Sequence, residues 1–156
     1  MSRNEEGKKI LFLSPLTGMS VPLEEVPDPV FSQKIIGDGM AVIPSDGRIV
    51  SPVDAQVVSV ADTAHAYGLK TEDGIELLIH AGIDTVKMNG EGFETFVETG
   101  AKVKKGDKLL SFDMDLVKEK GYKTQTMFLV ADAKGKEVEV VEAADADNNT
   151  KIMNLK

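Results

Sequence analysis

The chain has 156 residues, 42% of them hydrophobic, which suits one domain with a buried core rather than a disordered chain. Its formal net charge is −8, with 26 acidic against 18 basic residues, which argues against binding a nucleic-acid backbone and permits docking to basic proteins. With no cysteine it forms neither disulfides nor thiolate metal sites, as a cytoplasmic protein would, and no apolar run approaches the length of a bilayer span.

Residues 1–9 read as a flexible polar tail, and 10–156 as a single domain. Ile10-Leu11-Phe12-Leu13 is a short apolar strand closed by Ser14-Pro15, and Leu16 to Val21 is a second, ended by Pro22. Val26 to Phe31 reads as a stiff turn set by two prolines. It leaves Val30 and Phe31 adjacent, so that an alternating strand would bury one of them. Gly37-Asp38-Gly39 and Ser45-Asp46-Gly47 are turns before the strands Met40 to Pro44 and Arg48 to Val50, and Gln56 to Ala61 follows. Short β-rich runs at this spacing predict an all-β antiparallel sandwich or barrel.

The Asp73-Gly74 pair is a hairpin signal. It joins Ala66-Tyr67-Gly68-Leu69 to the apolar run that ends at His80. Folding back there lets the chain's two histidines, His65 and His80, face each other across neighbouring strands. Asp84 is placed to cap a helical turn over Thr85 to Met88. Gly100 to Leu110 reads as a hairpin with two turn glycines, and Asp113 as the cap of a short helix from Met114 to Lys120, stopped by Gly121. Thr126 to Ala131 and Glu137 to Val141 are further strands, the second alternating as if one face were wet; 143–156 carry no clear signal.

A histidine pair serves one of three ends. One is nucleophilic catalysis: at an ordinary pKa of about 6.5 the ring is mostly neutral at pH 7 and offers a lone pair, which suits phosphoryl transfer. Another is zinc, with Asp28 or Asp84 as a further ligand, although the spacing matches no zinc motif. The third is two histidines packed as ordinary strand residues.

Several segments together resemble the glucose-type IIA component of the bacterial phosphoenolpyruvate:sugar phosphotransferase system. They are Lys34-Ile35-Ile36-Gly37-Asp38-Gly39, Ser51-Pro52-Val53-Asp54, Ala64-His65-Ala66, His80-Ala81-Gly82-Ile83-Asp84-Thr85-Val86 and Gly90-Glu91-Gly92-Phe93. The resemblance runs from about Ile10 to Val141. It implies an antiparallel β-sandwich of the duplicated-hybrid-motif type, with one or two short helices and a shallow depression holding both histidines. It implies a cytoplasmic phosphocarrier that takes a phosphoryl group from phospho-HPr and passes it to a cysteine on a IIB domain during sugar uptake.

By the same resemblance, His80 is the phosphorylated nucleophile, His65 the hydrogen-bond donor to the phosphoryl oxygens, and Thr63 the hydroxyl that orients His65. Asp28 and Asp84 meet partner arginines, and Val30, Phe31, Ile36, Leu78 and Val86 form an apolar rim for partners. No cofactor is required; a zinc ion bridging His65 and His80 with a partner is the one metal role it leaves room for. Ala61 and Ala81 take positions where some members carry phenylalanine, implying a shallower rim. The polar N-terminal tail speaks against membrane insertion. The rival readings are a biotinyl or lipoyl carrier, for which Val86-Lys87-Met88 resembles a modification tripeptide, a zinc hydrolase, and a non-catalytic interaction domain.

Overall fold

A computed structural model describes residues 10–141 and 145–156, so the expected tail of residues 1–9 lies outside them. Among the described residues, strands dominate and every pairing is antiparallel. The largest sheet has eight strands. Their order is β13 (Asp145–Ala146), β2 (Gly18–Pro22), β3 (Asp38–Pro44), β11 (Lys123–Asp132), β7 (Glu76–Ile83), β6 (Ala66–Lys70), β5 (Ala55–Val60) and β9 (Lys102–Val103). Two three-stranded sheets complete the sandwich. One runs β1 (Ile10–Leu13), β14 (Lys151–Leu155), β12 (Val138–Val140); the other runs β4 (Arg48–Val50), β10 (Lys108–Phe112), β8 (Phe93–Thr95).

The alternation of β7 sets the two faces of the large sheet. Leu77, Ile79 and Ala81 are buried in the main core, where Phe12, Ile49, Leu110 and Met153 of the small sheets meet them. Leu78 and His80 take the other face, in the period-2 pattern of a strand. A second, smaller apolar cluster lies on that outer face: Leu23, Val26, Phe31, Ala41, Ile83, Met127 and Leu129. Burying each large side chain of this kind contributes roughly 1.5–3 kcal/mol, so the segment from Leu23 to Phe31 is anchored firmly over one part of the sheet.

That segment is not only the proline-set turn the sequence suggests. It holds a 3-10 turn over Leu23–Glu25 and a short helix, α1, over Pro29–Ser32. Asp28 caps α1, its side chain accepting from the Val30 N–H at 3.0 Å, and Pro29 takes the first helical position, where its missing N–H costs nothing. The second helix, α2, spans Met114–Glu119; Asp113 caps it as expected, and Gly121 follows it at φ +87°.

Four expectations need correction. The stretch from Gly100 to Leu110 is not a hairpin: β9 pairs with β5, while β10 pairs with β4 and β8. Its turn, with Gly106 at φ +92°, carries the chain from one sheet to another. The C-terminal residues hold the central strand of a sheet, β14, with Ile152, Met153 and Leu155 buried. Edge strand β12 is wet on both faces rather than one, with the Glu139 side chain 41% exposed and Val140 39% exposed. His80 does not end its strand. β7 continues to Ile83, and Ala81 still pairs with Thr126 of β11.

Candidate functional site

The Thr71–Gly74 turn builds the site. The Thr71 N–H donates to the Ile75 carbonyl and the Gly74 N–H to the Thr71 carbonyl, each at 2.9 Å, with Gly74 at φ +87°. The turn sets a register in which Ala66 lies opposite His80. His65 stands one residue before β6, yet its carbonyl still accepts from the Ala81 N–H at 2.7 Å. The two histidines are therefore diagonal neighbours. Their ring centroids lie 4.8 Å apart with the planes at 82°. Phe31, brought across the sheet by α1, lies 5.0 Å from the His80 ring at 58°.

Each ring has its Nδ1 engaged. His80 Nδ1 is 2.8 Å from the Gly82 carbonyl oxygen, which only accepts, so Nδ1 carries the proton and Nε2 keeps its lone pair. Gly82 makes this contact at φ +82°. A Cβ there would collide with the Thr85 side chain and lie 3.0 Å from the Lys123 carbonyl oxygen. His65 Nδ1 lies 2.5 Å from the Thr63 hydroxyl. The turn that presents Thr63 is tight, closed by the Ala64 N–H on the Ala61 carbonyl at 2.7 Å, and puts Ala64 at φ +58°. A left-handed alanine costs roughly 1–2 kcal/mol, so the surrounding structure holds this turn against a local preference.

His65 is buried, with 7% of its surface exposed, and His80 is half-buried. Burial pushes the His65 imidazole down to about 4, and the adjacent His80 adds to the shift. Burial lowers His80 as well, against the opposing pull of the Gly82 carbonyl, Asp28 and Asp84. Both rings are thus mainly neutral at pH 7. Asp84 stands exposed at the start of a 3-10 turn over Thr85–Met88. It does not cap that turn: its φ is +63° and its side chain makes no capping bond.

The five rim residues divide. Val30, Ile36 and Val86 are exposed, at 42%, 38% and 49%; Leu78 is half-buried; Phe31 is 5% exposed and belongs to the outer-face cluster. Ala81 is buried in the core, so only Ala61 bears on the depth of the rim. Sequence reasoning missed two parts. Gly82 enters the sequence reading only as part of the His80–Val86 segment, not as the acceptor of a histidine hydrogen bond. Ile35, beside Ile36, is the most exposed large apolar residue described, at 66%.

The model for the EIIA 1 family of the phosphoenolpyruvate-dependent sugar phosphotransferase system matches residues 10–136. The chain belongs to this EIIA family. It is 45% identical over 145 residues to the PTS system glucose-specific EIIA component of Bacillus cereus, across 92% of this chain and 88% of that one. It is 44% identical over 141 residues to the glucose-specific EIICBA component of Staphylococcus saprophyticus, across 90% of this chain and 21% of that longer one. The solved glucose permease IIA from Mycoplasma capricolum superposes with a TM-score of 0.91 at 34% identity, covering 96% of this chain and 97% of that one.

An EIIA component is a phosphocarrier, set between a phosphoryl donor and a IIB acceptor. As an EIIA, this chain has no need of a biotinyl lysine. Lys87 lies in the 3-10 turn after β7, not at a hairpin tip. Among the described residues no group of three or more His, Asp or Glu side chains is placed to hold a metal ion. No helix among the described residues is long and apolar enough to cross a membrane.

Proposed function

We propose that His80 Nε2 accepts the phosphoryl group from a phosphohistidine of HPr and passes it to the cysteine of a IIB unit in a glucose-type permease. The observation that carries this reading is the Nδ1–H of His80 on the Gly82 carbonyl, which leaves the bare Nε2 on the half-buried, solvent-reaching ring. In the step, the donor's P–N bond breaks and its electron pair stays on the donor ring. The Nε2 lone pair forms the new P–N bond. The proton stays on Nδ1, hydrogen-bonded to the Gly82 carbonyl, which supports the positive charge the ring acquires.

His65 acts as donor. With the Thr63 hydroxyl donating to Nδ1, its Nε2–H is free to face the phosphoryl oxygens beside His80. Asp28 and Asp84, whose charges already act on His80, lie where a basic partner docks. They repel the arriving phosphoryl charge and so favour its departure onto the next carrier. The exposed Val30, Ile36 and Val86 give the non-specific apolar contact that lets one face serve both donor and acceptor. The single domain spans 10–156 and works in the cytoplasm, where phosphoenolpyruvate starts the relay. Zinc enters this reading only as a bridge completed by a partner's ligands.

The test is the intact mass after incubation with phosphoenolpyruvate, enzyme I and HPr. One acid-labile phosphoryl group on the wild type, and none on His80→Ala, is the expected result. No added mass on the wild type with active donors overturns the reading.

A further inference from the structure

Helix α1 ends in a Schellman motif whose left-handed residue is a lysine. The Lys34 N–H donates to the Phe31 carbonyl at 3.0 Å and the Ile35 N–H to the Val30 carbonyl at 3.2 Å, with Lys34 at φ +60°. Glycine or asparagine usually fills this position, because a Cβ crowds the following carbonyl. Local backbone preference therefore gives no reason for a lysine here.

Its side chain supplies one. Lys34 Nζ lies 3.3 Å from the Glu24 carboxylate, in the 3-10 turn before α1, and 3.4 Å from that of Asp38, the first residue of β3. Both carboxylates raise the affinity of Lys34 for its proton, Glu24 most of all. All three groups are well exposed, so the pairs contribute little to global stability. Their effect is geometric. Only Ile35, Ile36 and Gly37 separate Lys34 from Asp38. The clamp fixes both ends of this loop to the elements that flank it, and Ile35 and Ile36 stand exposed on the loop, next to Val30 of α1. Two adjacent exposed isoleucines are otherwise costly to keep in water.

We propose that Lys34 is a positioning residue for partner docking: by bridging Glu24 and Asp38 it holds Ile35 and Ile36 in the conformation that meets the donor and the acceptor. This rests on the carrier reading given above. Lys34 does not touch the reacting atoms; it acts through the two isoleucines. Charge alone predicts the opposite effect of its removal. Taking a cation from a chain whose net charge is already −8 speeds the approach of a basic partner, whereas loosening the loop slows productive docking.

The experiment compares wild type, Lys34→Gly and the double variant Glu24→Gln with Asp38→Asn, each as the full chain, in the phosphoenolpyruvate-driven relay. Glycine keeps the left-handed turn, so the melting temperature stays level or rises. The proposal predicts that KM for the EIIA substrate rises about threefold or more in both variants while kcat holds, and that adding Lys34→Gly to the double variant causes no further change. An unchanged or lowered KM in folded Lys34→Gly overturns the proposal and leaves the carrier reading standing. A wild type that accepts no phosphoryl group overturns both.

Discussion

The Gly82 carbonyl accepts a hydrogen bond from His80 Nδ1 at 2.8 Å, from two residues further along the same strand. A regular strand would aim that carbonyl into its ladder. The left-handed φ of Gly82 turns it toward the ring instead, and the register between β11 and β7 is interrupted nearby, between Lys123 and Thr126. One glycine thus fixes both the tautomer and the orientation of the histidine.

Gly82→Ala is expected to cost about 1–3 kcal/mol, from the left-handed backbone and the collision with Thr85. It also frees the His80 ring, so phosphoryl acceptance should fall more than the folded fraction does. Urea unfolding and quenched-flow phosphorylation check the two effects separately. A variant of normal stability and normal rate would remove Gly82 from the account.

His65→Gln should still accept a phosphoryl group, because the lone pair belongs to His80. Onward transfer to IIB should slow, since the donor beside the phosphoryl oxygens is altered. Thr63→Val should slow transfer by up to about 100-fold, the order of effect produced when a positioned group is misplaced by about an ångström. Rates for the two half-reactions, measured apart, decide this. Normal onward transfer by His65→Gln would contradict the assigned roles.

Burial of His65 gives stability a pH dependence of definite sign. In the unfolded chain this ring titrates near 6.5, in the folded chain at about 4. Between those values only the unfolded state takes up the proton, so acidification favours unfolding. The contribution is fully present above about pH 6.5, is lost as pH falls toward 4, and changes no further below; it is on the order of 1–3 kcal/mol. His80, also lowered, acts in the same direction. Urea midpoints at pH 7.5, 5.5 and 4.5 should converge for His65→Gln relative to wild type. Parallel pH profiles would refute this.

Much of the fold is legible because its signals are local. The Asp73-Gly74 pair fixes the hairpin and with it the meeting of the histidines, and Asp113 and Gly121 bound α2 as a cap and a stop should. What is not legible depends on partners distant in sequence. β14 is a short apolar run, Ile152-Met153-Asn154-Leu155, whose identity comes from pairing with β1 and β12. β9 and β10 look like a hairpin because a turn sits between them, yet each is claimed by a different sheet. At the site, His65, His80 and Thr63 carry their chemistry in their residue types. The Gly82 carbonyl and the Lys34 clamp are backbone and tertiary facts with no residue-type signature.

The burial of β14 has a consequence for stability. Met153 is fully buried between β1 and β12, so Met153→Ala should cost about 2–5 kcal/mol and lower the melting temperature without altering phosphoryl transfer in the folded fraction. Calorimetry beside the relay assay checks it. A neutral effect would mean that the C-terminal strand does not hold the sandwich closed.

The central claim is that Nε2 of His80, with Nδ1 protonated on Gly82, is the acceptor atom. The most direct measurement is ¹⁵N–¹H correlation of the imidazole nitrogens in the phosphorylated protein, read with phosphorus coupling. The account predicts phosphorus coupled to Nε2 of His80, a protonated Nδ1, and His65 unmodified. Phosphorus on Nδ1 of His80, or on His65, would contradict it.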